Sequence, residues 1–365
     1  MPRLAPIVAE LPSSTPFVGP ERIMRDLGRS ELLRLGANES AFGTAPSAIA
    51  AMSAELDRTA WYGDPDSLDL RDALARKHGC TPEQLSVGSG IDDLMGLAVR
   101  AYVPPGTVAV TTRGTYPTFD YHVAGYGGQI ARIPYGADGR PDLDGLASAA
   151  HSLSAAMVYL ANPDNPSGTF ASADEIVRFR AALPEQTMLF LDEAYTDFVE
   201  DEELPDALFA PNLLRTRTFS KTYGMAGARI GYALADPAIV AVFQKIRLHY
   251  GVNRNAQIGA LASLQDDAFR RFVLSETAIG RDAYDAIARA HGLSTIPSRT
   301  NFVCIDIGDA ARATAIVAAL LDRGVWIRKP GAPPLDRYVR VTVGTAPMRE
   351  AFSAAFADAL AKVPG

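Results

Sequence analysis

Five lysines stand in a chain of 365 residues, and one of them, Lys221, occupies a position where an amine can react. Lys77, Lys245 and Lys362 fall in helical stretches with a solvated face, and Lys329 precedes a Pro-Gly turn. Lys221 follows the strand-like TRTFS and precedes Gly224 and Gly227, so it marks the place where a strand gives way to a glycine-rich connection. Ligand sites of open α/β sheets lie at such carboxyl ends. Two more strand ends point to the same rim. MVYLANPDNPSG ends a strand in Asn162-Pro163-Asp164-Asn165-Pro166, whose prolines fix the backbone and present amides. MLFLDEAY ends in Asp192, Glu193 and Tyr195 after four apolar residues. A carboxylate there must be hydrated, paired or ligated, because an isolated buried charge is very costly. Asn165 and Asp192 are about one βαβ unit apart, so neighbouring parallel strands bring them together. Finally, VGSGIDD places small residues before a helix start, where free N–H groups and the helix dipole favour an anion, with Thr218, Ser220 and Arg229 able to complete the site.

Other chemistries find less support. A metal held by Asp192 and Glu193 together is disfavoured, since adjacent strand residues face opposite ways. The five histidines are scattered without H-E-x-x-H spacing, and no G-x-S-x-G, Walker lysine or G-x-G-x-x-G motif occurs. Ser220-Lys221 does not make a serine–lysine dyad, because adjacency in sequence does not place a base on its nucleophile.

The elements that must position these groups follow a repeated pattern. Continuously apolar strands (GTVAVTT, AAMVYLAN, MLFLDEAY, LLRTRTFSK, IGYALAD) alternate with helices such as IDDLMGLAVRAYV and ADEIVRFRAAL, which indicates a mostly parallel sheet covered on both faces. After Pro237 the pattern becomes helical, with helices expected over DPAIVAVFQKIRLHY, from Asn255 to Leu264 and from Glu276 to Ala290. It closes with NFVCIDI, ARATAIVAALLDRG, YVRVTVG and a helix from Met348, the material of a smaller α+β unit. The expected division is an N-terminal arm over 1–35, a large domain over 36–255 and a small C-terminal domain over 256–365 that packs with the arm. A short helix in the arm, Glu21 to Leu27, should stop at Gly28. A net charge of −7 argues against a nucleic-acid partner, and Cys80 and Cys304 lack metal-ligand spacing. The N-terminal stretch lacks the pattern of a signal peptide and no window is apolar enough to span a membrane, so a cytoplasmic protein is expected.

An amine, a buried acid, an anion cradle and an aromatic beside them are together what pyridoxal phosphate needs. The chain closely resembles the class I/II, fold type I pyridoxal-phosphate-dependent aminotransferases, and within them the histidinol-phosphate aminotransferase branch. The resemblance is carried by PFVGPERIMRDLG, LGANES, WYGDPDSLDLRDALA, VGSGIDDLM, TYPTFDY, NPDNPSG, DEAY, TFSKTYGMAGARIGY, SRTNFVCID and YVRVTVGT in that order. It implies that Lys221 forms the Schiff base and shuttles the proton, that Asp192 partners the pyridine nitrogen, and that Asn165 and Tyr195 meet the ring hydroxyl. Tyr116 would stack on the ring. The backbone at Gly90, Ile91 and Asp92, with Thr218, Ser220 and Arg229, would hold the phosphate. Tyr62 would reach the cofactor of a partner subunit, which implies a homodimer with shared sites. Arg340, Arg328 and Asn38 would face the substrate. The chain has NPDNPSG where NPNNPTG is usual, and WYGDP where a proline often follows the tyrosine.

The expected activity is therefore ping-pong transfer of an amino group from histidinol phosphate or an aromatic amino acid to a 2-oxo acid such as 2-oxoglutarate. A decarboxylase or other lyase on the same fold is the nearest alternative, and a non-catalytic binding protein the distant one.

Overall fold

The computed structural model describes residues 2–11, 18–199 and 209–363. Its strands are β1 (Leu33–Arg34), β2 (Leu85–Gly88), β3 (Val108–Thr112), β4 (Gln129–Ile133), β5 (Met157–Ala161) and β6 (Met188–Asp192), followed by β7 (Leu213–Thr218), β8 (Gly231–Ala235), β9 (Thr295–Ile296), β10 (Phe302–Asp306), β11 (Val325–Trp326) and β12 (Tyr338–Thr342). Seven of them form one sheet in the order β2-β8-β7-β6-β5-β3-β4, parallel from β7 through β4, with β8 antiparallel to both its neighbours. Every residue of β5 and β6 is buried, which explains their continuously apolar sequences. One face is covered by Leu94, Met95, Phe119 and Phe243, the other by Leu146, Ile176 and Phe179, all from the crossover helices.

A second, antiparallel sheet, β12-β10-β9, is packed by three helices, Asp267–Ala290, Ala310–Asp322 and Ala346–Lys362. Tyr284, Ile316, Phe352 and Phe356 are fully buried between them. The fold is the α/β arrangement anticipated from the alternating strands and helices. The arm helix runs Pro20–Leu27 and stops at Gly28, whose φ of 62° closes it.

Three differences from the sequence reading have physical causes. The helix expected from Glu276 begins at Asp267, because the Asp266 side chain accepts from Phe269 N–H and caps it there. Strand β4, QIARI, lies at the sheet edge with Gln129 and Arg132 exposed and the other three residues only half-buried, and so lacks a buried apolar run. The helix Leu143–Ser152 starts on an Asp142 cap in a stretch too alanine-rich to show an apolar stripe. No helix among the described residues is long and apolar enough to cross a membrane.

Lys221 leaves β7 on a connection that demands glycine at one point. Gly224 has φ of 65°, and a Cβ there would collide with the carbonyl of Gly43, while Thr44 Oγ1 donates to the Gly224 carbonyl at 2.7 Å. At Gly227 a Cβ would meet nothing within 4 Å. Gly224→Ala should therefore cost about 2 kcal/mol or more in denaturant unfolding, whereas Gly227→Ala changes stability by less than about 1 kcal/mol. Equal effects of the two substitutions would contradict this packing.

Candidate active site

Three parallel strands deliver the chemistry to one rim. In β6, Ala161 of β5 lies opposite Asp192, and Asp192 lies opposite Thr216 of β7. Side chains alternate between faces along each strand. Asp192 therefore turns into a cavity of about 280 Å³, while Glu193 turns away and takes Arg215 at 2.7 Å and Arg217 at 2.9 Å. Tyr116, Asn165, Asp192, Tyr195, Thr218, Ser220, Lys221, Arg229, Ile91 and Asp92 all line this one cavity.

Asp192 is 5% exposed. Tyr159 Oη donates to one carboxylate oxygen at 2.8 Å and Ala194 N–H to the other at 3.0 Å. Burial outweighs these bonds and pushes its carboxyl up to about 6. Lys221 Nζ donates to the Asn38 carbonyl at 3.0 Å and stands 5.6 Å from the centre of the Tyr195 ring. Burial first, then the charge of Arg340, pulls its amine down to about 8. Tyr195 Oη accepts from Asn38 Nδ2 at 2.9 Å, and burial pushes its hydroxyl up to about 12.

The anion cradle is built from strained backbone. Gly90, with φ of 87°, caps the helix Ile91–Tyr102, and a Cβ there would lie 2.7 Å from Arg229 Nη2, so both conformation and space require glycine. Arg229 itself is left-handed, with φ of 56°. Its guanidinium reaches Asp92 at 3.5 Å, and Tyr116 Oη donates to the same carboxylate at 3.0 Å. Across the cradle Thr218 Oγ1 donates to Ser220 Oγ at 2.9 Å.

Arg340 joins the site from the small sheet. Nη1 donates to Asn165 Oδ1 and Nη2 to the Gly36 carbonyl at 3.0 Å, and the guanidinium lies 5.2 Å from the Phe302 ring centre. Arg328 faces Arg340 across an antiparallel bridge. Asn38 is buried with its amide between Tyr195 and Thr342. Arg328 does not line the cavity: its guanidinium lies 5.3 Å from the Trp326 ring centre and donates to the Val18 carbonyl at 3.2 Å. Tyr62 lies outside the cavity as well. It is 76% exposed, stacked on Tyr250 at 4.4 Å, and takes no part in the cavity of its own chain.

Tyr159 is the functional side chain the sequence reading missed. Inside the apolar run MVYLA it reads as core, yet a fully buried tyrosine needs a partner for its hydroxyl, and that requirement points to the neighbouring strand.

These residues fit pyridoxal phosphate. The buried Asp192 oxygens receive one neutral donor each, and among the described residues no basic side chain hydrogen-bonds to them, which suits a protonated ring nitrogen. The free N–H groups after Gly90, the two hydroxyls and Arg229 suit a phosphate. No cluster of metal-ligating side chains occurs among the described residues.

Comparison with known proteins agrees with this chemistry. The family model for aminotransferase class I and II matches residues 30–357. Histidinol-phosphate aminotransferase 2 of Ralstonia nicotianae is 36% identical, the match covering 98% of this chain and 96% of that one. The crystal structure of histidinol-phosphate aminotransferase from Sinorhizobium meliloti in complex with pyridoxal-5'-phosphate superposes with a TM-score of 0.96 at 43% identity, covering 100% of this chain and 99% of the other. An aspartate aminotransferase from Thermus thermophilus shares the fold, with a TM-score of 0.80 at 22% identity and complete coverage of both chains.

Removing the Tyr159 hydroxyl tests the hold on Asp192. Tyr159→Phe takes a hydrogen bond from a charged acceptor, so cofactor affinity should fall about tenfold to a hundredfold. Titration of the apoprotein with pyridoxal phosphate, followed by absorbance, reads this directly. An unchanged dissociation constant would show that Asp192 is held without Tyr159.

Proposed function

The chain belongs to the class I and II aminotransferases and works with pyridoxal phosphate, and from that premise we propose that its amino donor is histidinol phosphate and its acceptor a 2-oxo acid such as 2-oxoglutarate. The observation that carries the choice of donor is the pairing of Arg328 with Arg340. Residues opposite one another across an antiparallel bridge put their side chains on one face, and like charges so placed disfavour each other. Each arginine is also held below its usual range by burial and, for Arg328, by the charge of Arg340. A phosphate monoester, carrying about −1.5 to −2 at neutral pH, satisfies two guanidinium groups better than a single carboxylate does.

When bound, the cofactor supplies an aldehyde that takes up the amino group and a ring that accepts electrons. The chain supplies the rest. Asp192 would accept the ring N–H and keep that proton in place. Asn165 and Tyr195 would meet the ring hydroxyl, Tyr116 would lie against the ring, and the Gly90–Asp92 backbone, Thr218, Ser220 and Arg229 would anchor the phosphate. Lys221 Nζ, already shifted toward its neutral form, would take and hold the proton from the donor's reacting carbon. Arg340 and Arg328 hold the donor's anion, which fixes the bond to be broken relative to the ring. In this reading residues 36–255 form the cofactor-binding domain, and 256–365 with the arm 1–35 form the smaller one.

The protein is proposed to act in the cytoplasm as a homodimer with shared sites. Trp61 is 64% exposed, Tyr62 76%, Leu248 76% and Tyr250 53%, and the three aromatics border one shallow depression. Apolar groups concentrated in this way mark a contact surface. A second copy of the chain would cover them and carry its Tyr62 to the neighbouring cofactor phosphate.

Two measurements test these assignments. Arg328→Ala should raise KM for histidinol phosphate about tenfold to a hundredfold and leave KM for phenylalanine little changed; parallel changes for both donors argue against a phosphate at this position. Mixing Lys221→Ala with Tyr62→Ala protein should give more activity than the mean of the two alone, because hybrid dimers regain one complete site. If activity never exceeds that mean, Tyr62 does not act across a subunit boundary.

A further inference from the structure

Asp164 precedes Asn165 in the NPDNPSG loop and is 1% exposed. Its carboxylate receives Tyr135 Oη at 3.1 Å, Ser167 N–H at 2.9 Å and Ser167 Oγ at 2.7 Å. Its main chain closes the same loop, donating to the Thr169 carbonyl at 2.8 Å and accepting from Gly168 N–H at 2.9 Å. All the side-chain partners donate, so the loop is organised around a group that only accepts. The asparagine usual at this position would keep the shape but has to turn an NH2 toward one of those donors.

Among the described residues no cation pairs with this acid. The groups facing it are Tyr135 beyond β4, Tyr159 on β5, Tyr195 after β6 and Cys304 on β10, each raised by burial and uncharged at neutral pH. Arg140 borders the same small gap but is paired with Glu175 at 2.8 Å. Burial accordingly pushes Asp164 up to about 6, against the hydrogen bonds from Ser167 and Tyr135. The next side chain carries the consequence: Asn165 Oδ1 takes Arg340 Nη1, and the Asn165 carbonyl takes Thr115 Oγ1 at 3.3 Å.

We propose that Asp164 is a positioning residue whose negative charge holds the 163–169 loop, and through Asn165 the guanidinium of Arg340, in the geometry that grips the donor's anion, so that protonating this one carboxylate loosens substrate binding. A neutral acid must turn its proton toward Tyr135 or Ser167, both of which now donate to it. That hydroxyl has to turn and accept instead, a neutral bond replaces a charge-assisted one, Asn165 shifts, and Arg340 loses its anchor on the cofactor side. The inference rests on the reading of Arg340 as the anion-binding arginine.

The test compares holoenzymes of wild type, Asp164→Asn and Ser167→Ala. The ratio of KM at pH 5.5 to KM at pH 8 should be at least about threefold smaller in Asp164→Asn than in wild type, since titration of the substrate and of other groups is common to both. In Ser167→Ala, where the carboxylate loses a donor, the acid rise in KM should begin at higher pH. A second readout needs no turnover. An acid whose pKa is raised by folding favours the folded state only as pH falls through the folded value, so the Tm of Asp164→Asn relative to wild type should be higher at pH 8 than at pH 5. Equal KM ratios in wild type and Asp164→Asn, or a Tm difference independent of pH, would overturn the proposal. Arg340→Lys separates the two layers. If it leaves KM unchanged the reading of Arg340 itself fails, whereas a raised KM beside equal pH ratios removes only the role of Asp164.

Discussion

The site is organised around two oppositely charged groups that share a cavity and are not paired with each other. Lys221 Nζ is tied to the Asn38 carbonyl, and Asp192 takes Tyr159 and Ala194. Both are displaced by burial toward their neutral forms, the amine down to about 8 and the acid up to about 6. A direct ion pair would relieve both groups, and the fold withholds it. In the proposed reading a third molecule between the two walls would relieve them, cationic where it meets the acid and electrophilic where it meets the amine. Two buried groups held toward their neutral forms on facing walls therefore favour a cofactor of that polarity.

Keeping Asp192 unpaired depends on how its neighbour is used. Asp192 and Thr218 line the cavity, while Glu193, Arg215 and Arg217 point to the back of the same strands. Glu193 and Arg215 are 3% and 4% exposed. Losing one member of such a buried set typically costs about 3–5 kcal/mol, because a charge is left without compensation. The ion trio therefore fixes the β6–β7 register, and with it the spacing of the acid from the hydroxyls two residues further along β7. The same DEAY segment supplies both halves, one residue per face.

Much of this was legible because chemistry at a sheet's carboxyl edge leaves a mark in sequence. Apolar runs that end abruptly at the Asn165 loop and at Asp192, and a strand that gives way to glycines after Lys221, announce strand ends, and the alternation rule alone sends Asp192 and Glu193 apart. What was not legible came from elements that make no such contrast. Tyr159 hides its function within a core strand. Strand β4 lies at an edge and has no buried apolar run. The long helix starting at Asp267 owes its first turns to a cap rather than to an apolar stripe. The partners of Arg340 are also beyond sequence reading, because Gly36 and Asn165 lie far away in the chain and meet it only when the two sheets are assembled.

That assembly is made by one short segment. Leu33 and Arg34 pair in parallel with Val325 and Trp326, Thr342 N–H donates to the Leu35 carbonyl at 2.9 Å, and Arg340 takes the carbonyl of Gly36. Asn38, left-handed with φ of 55°, a conformation that asparagine tolerates, donates its main-chain N–H to Thr342 Oγ1 at 3.0 Å. Its carbonyl then accepts from Lys221 Nζ and its amide Nδ2 donates to Tyr195 Oη. Residues 33–38 are therefore bonded on one side to the strands that carry the arginines and on the other to Lys221 and Tyr195, the groups proposed to act on the donor. A displacement of β12 relative to the large sheet cannot move Arg340 alone; it pulls on the same asparagine that seats the lysine. The proposed anion grip and proton transfer are in this way one mechanical unit, although their residues come from different sheets.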